Sequence, residues 1–246
     1  MPSKCLVLDI ETVPSHHAIL DEKKPDFPNP IFHKIVCISY ALLSNSFVLE
    51  EMGSLGLNGQ TEKQAIEKIV SLIDKDTIVV TWSGRRFDIP VILYRAMYYG
   101  IPCHFFFNDG FDKRFSITGH FDLQDNMTFY GAATHMMRLD HVAAVIGLPG
   151  KMSVSGGDVE DLWLRNRYLE IGTYCVTDVV QLLVLFLRWS FLRGLASPAE
   201  VNESLDSIVS YASRDYLGQD IASYSVRDGI NQVVKHCDWE ALKLKR

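Results

Sequence analysis

The 246-residue sequence has no CxxC pair, and its five cysteines, Cys5, Cys37, Cys103, Cys175 and Cys237, are odd in number and widely spaced. A disulfide framework and a zinc knuckle are therefore excluded, and a reducing, cytoplasmic setting is expected. The histidines form neither HxxxH nor HExxH, so zinc hydrolysis has no support. No GxGxxG or GxxxxGK[ST] turn follows the first apolar run, which argues against nicotinamide and P-loop chemistry. Long hydrophobic runs are missing too. The greasiest stretch, Val179 to Leu195, contains Gln181, Arg188 and Arg193 and falls short of the roughly 20 apolar residues a membrane span needs. It reads as a buried helix, and no membrane partner is expected. Asp9 interrupts the short run from Cys5 to Leu8, so no signal peptide is expected either. Finally, there is no basic excess: 24 Lys and Arg stand against 30 Asp and Glu, a net charge of −6. That balance disfavours broad, nonspecific duplex binding, although it does not exclude a nuclease, whose site must itself be acidic to hold metal.

With 48% hydrophobic residues, 16 glycines and 9 prolines, the chain is an ordinary globular sequence, long enough for one large domain or two small ones. Residues 4–10 (KCLVLDI) form an apolar run ending in acid, as in a strand buried on both faces. Lys34 to Leu43 and Phe47 to Met52 predict two more strands joined by a turn at Ser44, Asn45 and Ser46, and residues 14–33 predict a long loop near the acidic strand end. Thr61 with Gln64 is a capping-box pattern before the helical repeat Ile66, Ile69, Val70, Ile73. Thr77 to Trp82 predicts a buried strand, and Asp88 with Pro90 the start of a helix that stops before Gly100. Shorter helices are expected at Leu139 to Ile146 and Val159 to Leu164, a long one at Tyr168 to Arg193, and another capped by Ser197, Pro198 and Glu200. From Ser213 onward no strong period is visible. The ordering predicts an α/β fold with an RNase H-like mixed sheet flanked by helices, spanning residues 1–212, followed by a C-terminal extension over 213–246.

Three sets of acids stand out. Alternation along a strand puts Asp9 and Glu11 on one face, where two carboxylates repel unless a cation sits between them. Hard oxygen ligands of this kind suit Mg²⁺ or Mn²⁺; the D-x-E triplet alone is equally read as a solvated strand end. Asp88 lies just beyond the strand at Thr77 to Trp82, where α/β sheets place their ligands. By itself it reads as an N-cap, a role compatible with ligation. Tyr174 and Asp178 share a helix face at i, i+4. An acid among Val176, Val179 and Val180 wants a cation, an arginine or a metal.

Taken together, Leu8-Asp9-Ile10-Glu11-Thr12, Phe87-Asp88-x-Pro90 and Tyr174-x-x-x-Asp178 resemble the three motifs of the DEDDy 3′-5′ exonucleases. His120-Phe121-Asp122-Leu123, Leu148-Pro149-Gly150-Lys151, Tyr174-Cys175-x-x-Asp178-Val179 and Leu187-Arg188 resemble the stand-alone, predicted DNA polymerase B-like subgroup. The likeness spans roughly residues 4 to 210 and leaves the tail unexplained. It implies hydrolysis of the last phosphodiester at the 3′ end of single-stranded nucleic acid, DNA favoured over RNA, with two divalent cations, Mg²⁺ or Mn²⁺. It further implies Asp9 bridging both ions, Glu11 and Asp178 on the ion carrying the attacking water, Asp88 supporting the second ion, and Tyr174 positioning the water. In one departure, Ser83 stands where family members often carry Asn, five positions before the second-motif acid. A hydroxyl there in place of an amide changes contact with the terminal nucleotide.

Thr12, Ser83, Arg85, Arg86 and Phe87 are the candidate substrate contacts. The two arginines could equally be a solvated loop pair, and Phe87 and Trp82 suit either base stacking or core packing. His120 and Asp122 are expected as a polar pair on an edge strand. Two rival functions are an aspartyl-nucleophile phosphatase, suggested by a strand ending in D-x-E-T, and a noncatalytic nucleic-acid-binding module of the same fold. The Glu at the third motif position and the late Tyr-x-x-x-Asp disfavour the first, and the intact acids disfavour the second.

Overall fold

The computed structural model describes residues 4–20, 28–57, 59–107, 111, 113–116, 118–133, 137–152, 154–214 and 219–245. In chain order its main elements are β1 (Lys4–Pro14), β2 (His33–Ser44), β3 (Leu49–Leu55), α1 (Glu62–Ser71), β4 (Thr77–Thr81), α2 (Asp88–Tyr99), β5 (His120–Asp122), α3 (Leu123–Met127), α4 (Leu139–Val145), α5 (Val159–Leu164), α6 (Tyr168–Leu192), α7 (Pro198–Ala212) and α8 (Ile221–Lys235). The strands form one sheet in the order β3-β2-β1-β4-β5. β1 to β3 are antiparallel neighbours, whereas β1 with β4 and β4 with β5 are parallel. This is the mixed α/β, RNase H-like layout the sequence predicts.

Why β1 sits in the middle follows from its residues. Cys5 and Val7 belong to a core packed under α6, α7 and α8. Leu6, Leu8 and Ile10 face the opposite layer, built on α1 and α2. A strand apolar on both faces can be satisfied only between two helical layers. The 25-residue helix α6 is long and apolar enough to cross a membrane by length and composition, but most of it is buried in this core. Its one buried amide, Gln181, accepts the Gly150 N–H at 2.8 Å and so anchors the loop between α4 and α5.

The capping boxes at Thr61–Gln64 and Ser197–Glu200 form as expected. β1 runs to Pro14, past the expected end. The loop after it holds short 3-10 turns at His16–Leu20 and Pro30–Phe32, while residues 21–27 of that loop lie outside the described residues. The stretch beyond Ser213, read as lacking a strong period, contains α8. Val226, Ile230 and Val233 of α8 join the core beneath α6, each contributing about 1.5–3 kcal/mol of apolar burial. A Cβ at Gly229 would lie 2.5 Å from Val176 Cγ1 of α6, and one at Gly172 of α6 would lie 2.4 Å from Ser225 Oγ. The two helices therefore cross where small residues let them approach closely.

Candidate active site

β1 carries the first two acids past the end of β4. Lys4 to Val7 pair with Thr77 to Val80, after which β1 continues against β2 alone, with a register shift between Glu11 and Thr12. Cys5 and Val7 face α6, so alternation sends Asp9 and Glu11 the same way. Contact with α6 confirms it: Cys175 Sγ lies 3.5 Å from the Asp9 carbonyl oxygen and 3.7 Å from its Oδ2. Ligand atoms of Asp9, Glu11 and Cys175 all fall within 4.8 Å of one another. Behind them Cys37 Sγ meets Ser54 Oγ at 3.3 Å and hydrogen-bonds with Cys175.

Asp88 is not the N-cap that its sequence position suggested. The N-cap residue is Phe87, which makes no side-chain cap bond, and Asp88 is the first residue of α2. The helix begins two residues before Pro90, which costs nothing because first-turn N–H groups lack intrahelical partners anyway. Freed from capping, the Asp88 carboxylate accepts the Ile10 N–H and its own N–H. It is thereby tied to β1 between the other two acids, just beyond the last residue that β4 pairs. Asp178 arrives from α6, where its carboxylate accepts a hydrogen bond from Tyr174 one turn earlier.

The electrostatics follow from crowding four carboxylates where little water reaches. Glu11 and Asp88 are buried, Asp9 and Asp178 partly so. Burial, then the charges of Asp88 and Asp178, push Asp9 well above the usual carboxylate range. Burial, then Asp9 and Asp178, do the same to Glu11. Burial raises Asp88 to about 7 against the lowering pull of its backbone donors, and raises Asp178 to about 7 despite the Tyr174 bond. The Tyr174 phenol itself is pushed up by burial and by Asp178, Glu11 and Asp9, so it acts as a hydrogen-bond donor at neutral pH. Among the described residues no lysine or arginine is ion-paired with any of the four acids, and no hydrogen bond offsets the charge of Glu11. Such a set requires either shared protons or a cation. Its four carboxylates fit hard divalent ions; the Cys175 thiol beside them was not foreseen from the sequence.

The loop after β4 is shaped by a residue whose role sequence reasoning missed. Asp122, at the end of β5, accepts the N–H groups of Ser83 (3.0 Å), Arg85 (3.0 Å) and Asp125 (3.1 Å), so it caps α3 and holds the loop together. His120 and Asp122 do lie on an edge strand, β5, but both are buried. Burial lowers His120 to about 3, and its Nε2 meets Thr81 Oγ1 at 2.8 Å. Aspartate followed at i+3 by a second polar residue, Asp125, was the available signal. Ser83 is held at φ 58°, and Gly84 is required because a Cβ there would stand 2.3 Å from Thr81 Oγ1.

Of the expected contacts, Thr12 Oγ1 bonds His33 Nδ1 at 2.8 Å, and His33 packs edge-on against Phe87 with ring centroids 5.0 Å apart. These three residues form one cluster behind the site. Trp82 packs partly into the core beneath α6. One open hollow reaches the acids at Asp178, and two more share its walls. A central cleft of about 350 Å³ is lined by Trp82, Ser83, Gln124, Arg138, Tyr174 and Asp178 among others. Ser83 and Gln124 also line a second hollow of about 230 Å³ that holds Arg85, Arg86 and Arg114. Tyr174 and Thr177 also line a third, of about 300 Å³, with Glu170, Asp228 and Gln232.

Comparison with solved structures gives matches to a polymerase and to an exonuclease. The family B DNA polymerase of the hyperthermophilic archaeon Pyrobaculum calidifontis superposes with a TM-score of 0.51 at 16% identity, over 94% of this chain and 27% of the polymerase. An E. coli ExoI–ssDNA complex in its zinc-bound form gives a TM-score of 0.44 at 13% identity, over 86% of this chain and 44% of ExoI. The chain thus spans about a quarter of the polymerase and less than half of ExoI, and at these identities the likeness is one of fold. Comparison with curated protein sequences gives no match. Residues 25–226, most of the chain, match one protein family throughout. The chain belongs to the family of predicted 3′-5′ exonucleases related to the exonuclease domain of PolB.

Proposed function

We propose that this protein is a metal-dependent 3′-5′ exonuclease of the DEDDy type, removing nucleotides from the 3′ end of single-stranded nucleic acid, with DNA favoured over RNA. The observation that carries the reading is the convergence of Asp9, Glu11, Asp88 and Asp178, from three separate elements, on one buried spot with no cationic side chain among the described residues paired to them. Residues with that degree of mutual repulsion fit two divalent cations, Mg²⁺ or Mn²⁺, which when bound supply Lewis-acid activation of water and stabilisation of the attacking and leaving oxygens. Asp9, Glu11 and Asp178 would hold one ion, and Asp9 with Asp88 would support the other.

The protein groups have separable tasks. Tyr174 donates to Asp178 and keeps its own proton, so it orients the attacking water and the Asp178 carboxylate and does not act as the base. Asp88, braced by the Ile10 N–H, holds its oxygen still relative to β1. Ser83 borders the cleft and the Arg85–Arg86 pair the hollow beside it, where they meet the substrate's terminal sugar and phosphates, while Thr12 and Phe87, tied to His33, set the shape of the wall behind. An aspartyl phosphatase needs one unencumbered nucleophilic aspartate, whereas Asp9 is crowded by three other acids. The test is incubation with 5′-labelled single-stranded DNA and RNA in Mg²⁺, Mn²⁺ or chelator. A metal-dependent ladder that shortens from the 3′ end, faster on DNA, is expected; cleavage that persists in chelator contradicts the reading.

A further inference from the structure

The acids fix where a strand's 3′ end would lie, and the two hollows beside the central cleft offer the rest of the strand two ways out. They differ in charge. The one reached past Tyr174 and Thr177 presents Glu170 and Asp228, which Arg167 and Arg227 pair from outside it, with no lysine or arginine among the described residues of its lining. The one reached past Ser83 and Gln124 presents Arg85, Arg86 and Arg114. Its aspartates are already engaged, Asp122 by three backbone N–H groups and Asp125 by a bidentate bond from Arg114 at 2.6 and 2.7 Å. A polyanion therefore leaves by the arginine side.

Two further features mark that side. The Nε and Nη2 atoms of Arg85 are shielded from solvent yet have no hydrogen-bond partner, although a guanidinium has five donors to satisfy and an unsatisfied buried donor is costly. Beyond Arg114 the surface turns aromatic. Phe115 is 69% exposed and Phe129 68%. The Phe115 ring packs edge-on against Tyr130 with centroids 4.7 Å apart, and Arg114 Nη2 bonds the Tyr130 carbonyl oxygen at 3.1 Å. Phe129 and Tyr130 are both left-handed, at φ 51° and 58°, a conformation disfavoured for bulky side chains and one that clusters at functional sites. Arginines next to solvent-facing rings are the combination that holds unpaired bases and their backbone without reading sequence.

Resting on the exonuclease reading, we propose that the single strand upstream of the scissile bond runs from the acid cluster past Ser83 and Gln124. Its phosphates lie against Arg85, Arg86 and Arg114, and its bases stack on Phe115, Phe129 and Tyr130. The strand's 3′ end is at the acids and its 5′ side is at the aromatics. A duplex hides its base faces and gains nothing from this platform.

The test compares the p-nitrophenyl ester of thymidine 5′-monophosphate, which reaches only the acids, with oligothymidylates of two to twelve nucleotides in Mn²⁺. In the unmodified protein KM falls with length. Phe115→Ala raises KM for the dodecamer by about 5-fold or more, the scale of one stacked base, leaves kcat within about 2-fold and leaves the small ester unchanged. Phe115 is exposed, so its truncation spares the core. A KM independent of length, or a dodecamer KM untouched by Phe115→Ala, overturns the path. A second readout needs no turnover: in chelator, Phe115→Trp emission is quenched by the dodecamer and not by a blunt duplex. If no substrate is hydrolysed at all, the exonuclease reading fails, and the quenching decides the platform by itself. Its absence rejects the platform.

Discussion

Tyr174 and Asp178 lie one turn apart on α6, and the tyrosine hydroxyl is hydrogen-bonded to the aspartate carboxylate. That bond lowers the Asp178 pKa against the rise that burial imposes and points one oxygen toward the other acids. Tyr174→Phe keeps the ring and removes only the donor. We expect kcat on an oligonucleotide to fall about 10- to 100-fold, the range for losing a group that orients a ligand, with KM unchanged. A variant as active as the parent protein would mean that the hydroxyl orients nothing.

The crowding of the acids has a consequence for stability. Asp88 and Asp178 titrate at about 7 in the folded chain, against about 3.9 for an unfolded aspartate. Between those values the folded state holds protons that the unfolded state releases, so stability falls as pH rises from about 4 to about 7. Under the proposed metal-dependent mechanism, divalent ions would replace the protons. Thermal unfolding in chelator should give a Tm that declines over that window, and the gain in Tm from Mn²⁺ should be larger at pH 8 than at pH 5.5. A Tm gain that is flat with pH would remove the acids from the binding site.

Asp122 is expected to matter as much as a ligand while touching none of the four acids' own bonds. Its three backbone partners and its capping of α3 make Asp122→Ala destabilising by about 2–4 kcal/mol, measurable by urea unfolding. Released from Asp122, the loop carrying Ser83 and Arg85 loses its position, and KM for oligonucleotides should rise more than kcat falls.

Ser83 occupies a left-handed position that asparagine tolerates better than serine. Ser83→Asn, the residue that the DEDDy resemblance leads one to expect here, should stabilise the chain by part of the roughly 1–2 kcal/mol that the left-handed conformation costs. It should also change KM for the 3′-terminal nucleotide, since an amide adds a donor at the cleft wall. Paired urea unfolding and kinetics on one oligonucleotide check both halves.

Much of this site was legible because it rests on strong local rules. Period-two alternation already puts Asp9 with Glu11, i, i+4 spacing puts Tyr174 with Asp178, and the capping boxes at Thr61 and Ser197 state where two helices begin. What was misread depended on partners distant in sequence. Asp88 looks like a cap because Pro90 looks like a first helical residue; only the Ile10 N–H, exposed where β4 stops, shows what its carboxylate does. Asp122 sits in a three-residue strand with no period of its own, and two of its partners are backbone groups more than thirty residues away. In α8 the face toward α6 includes Ser225 and Gly229, small because the helices cross closely, and small residues erase the apolar period that would have announced the helix.

Whether Asp9, Glu11, Asp88 and Asp178 together hold divalent cations is read from titration of the purified protein with Mn²⁺, counting bound ions by electron paramagnetic resonance. Two Mn²⁺ should bind per chain, with Mg²⁺ competing, and Asp9→Asn should abolish both while the variant remains folded by circular dichroism. Unchanged Mn²⁺ binding in Asp9→Asn, or no binding in the unmodified chain, would contradict the account.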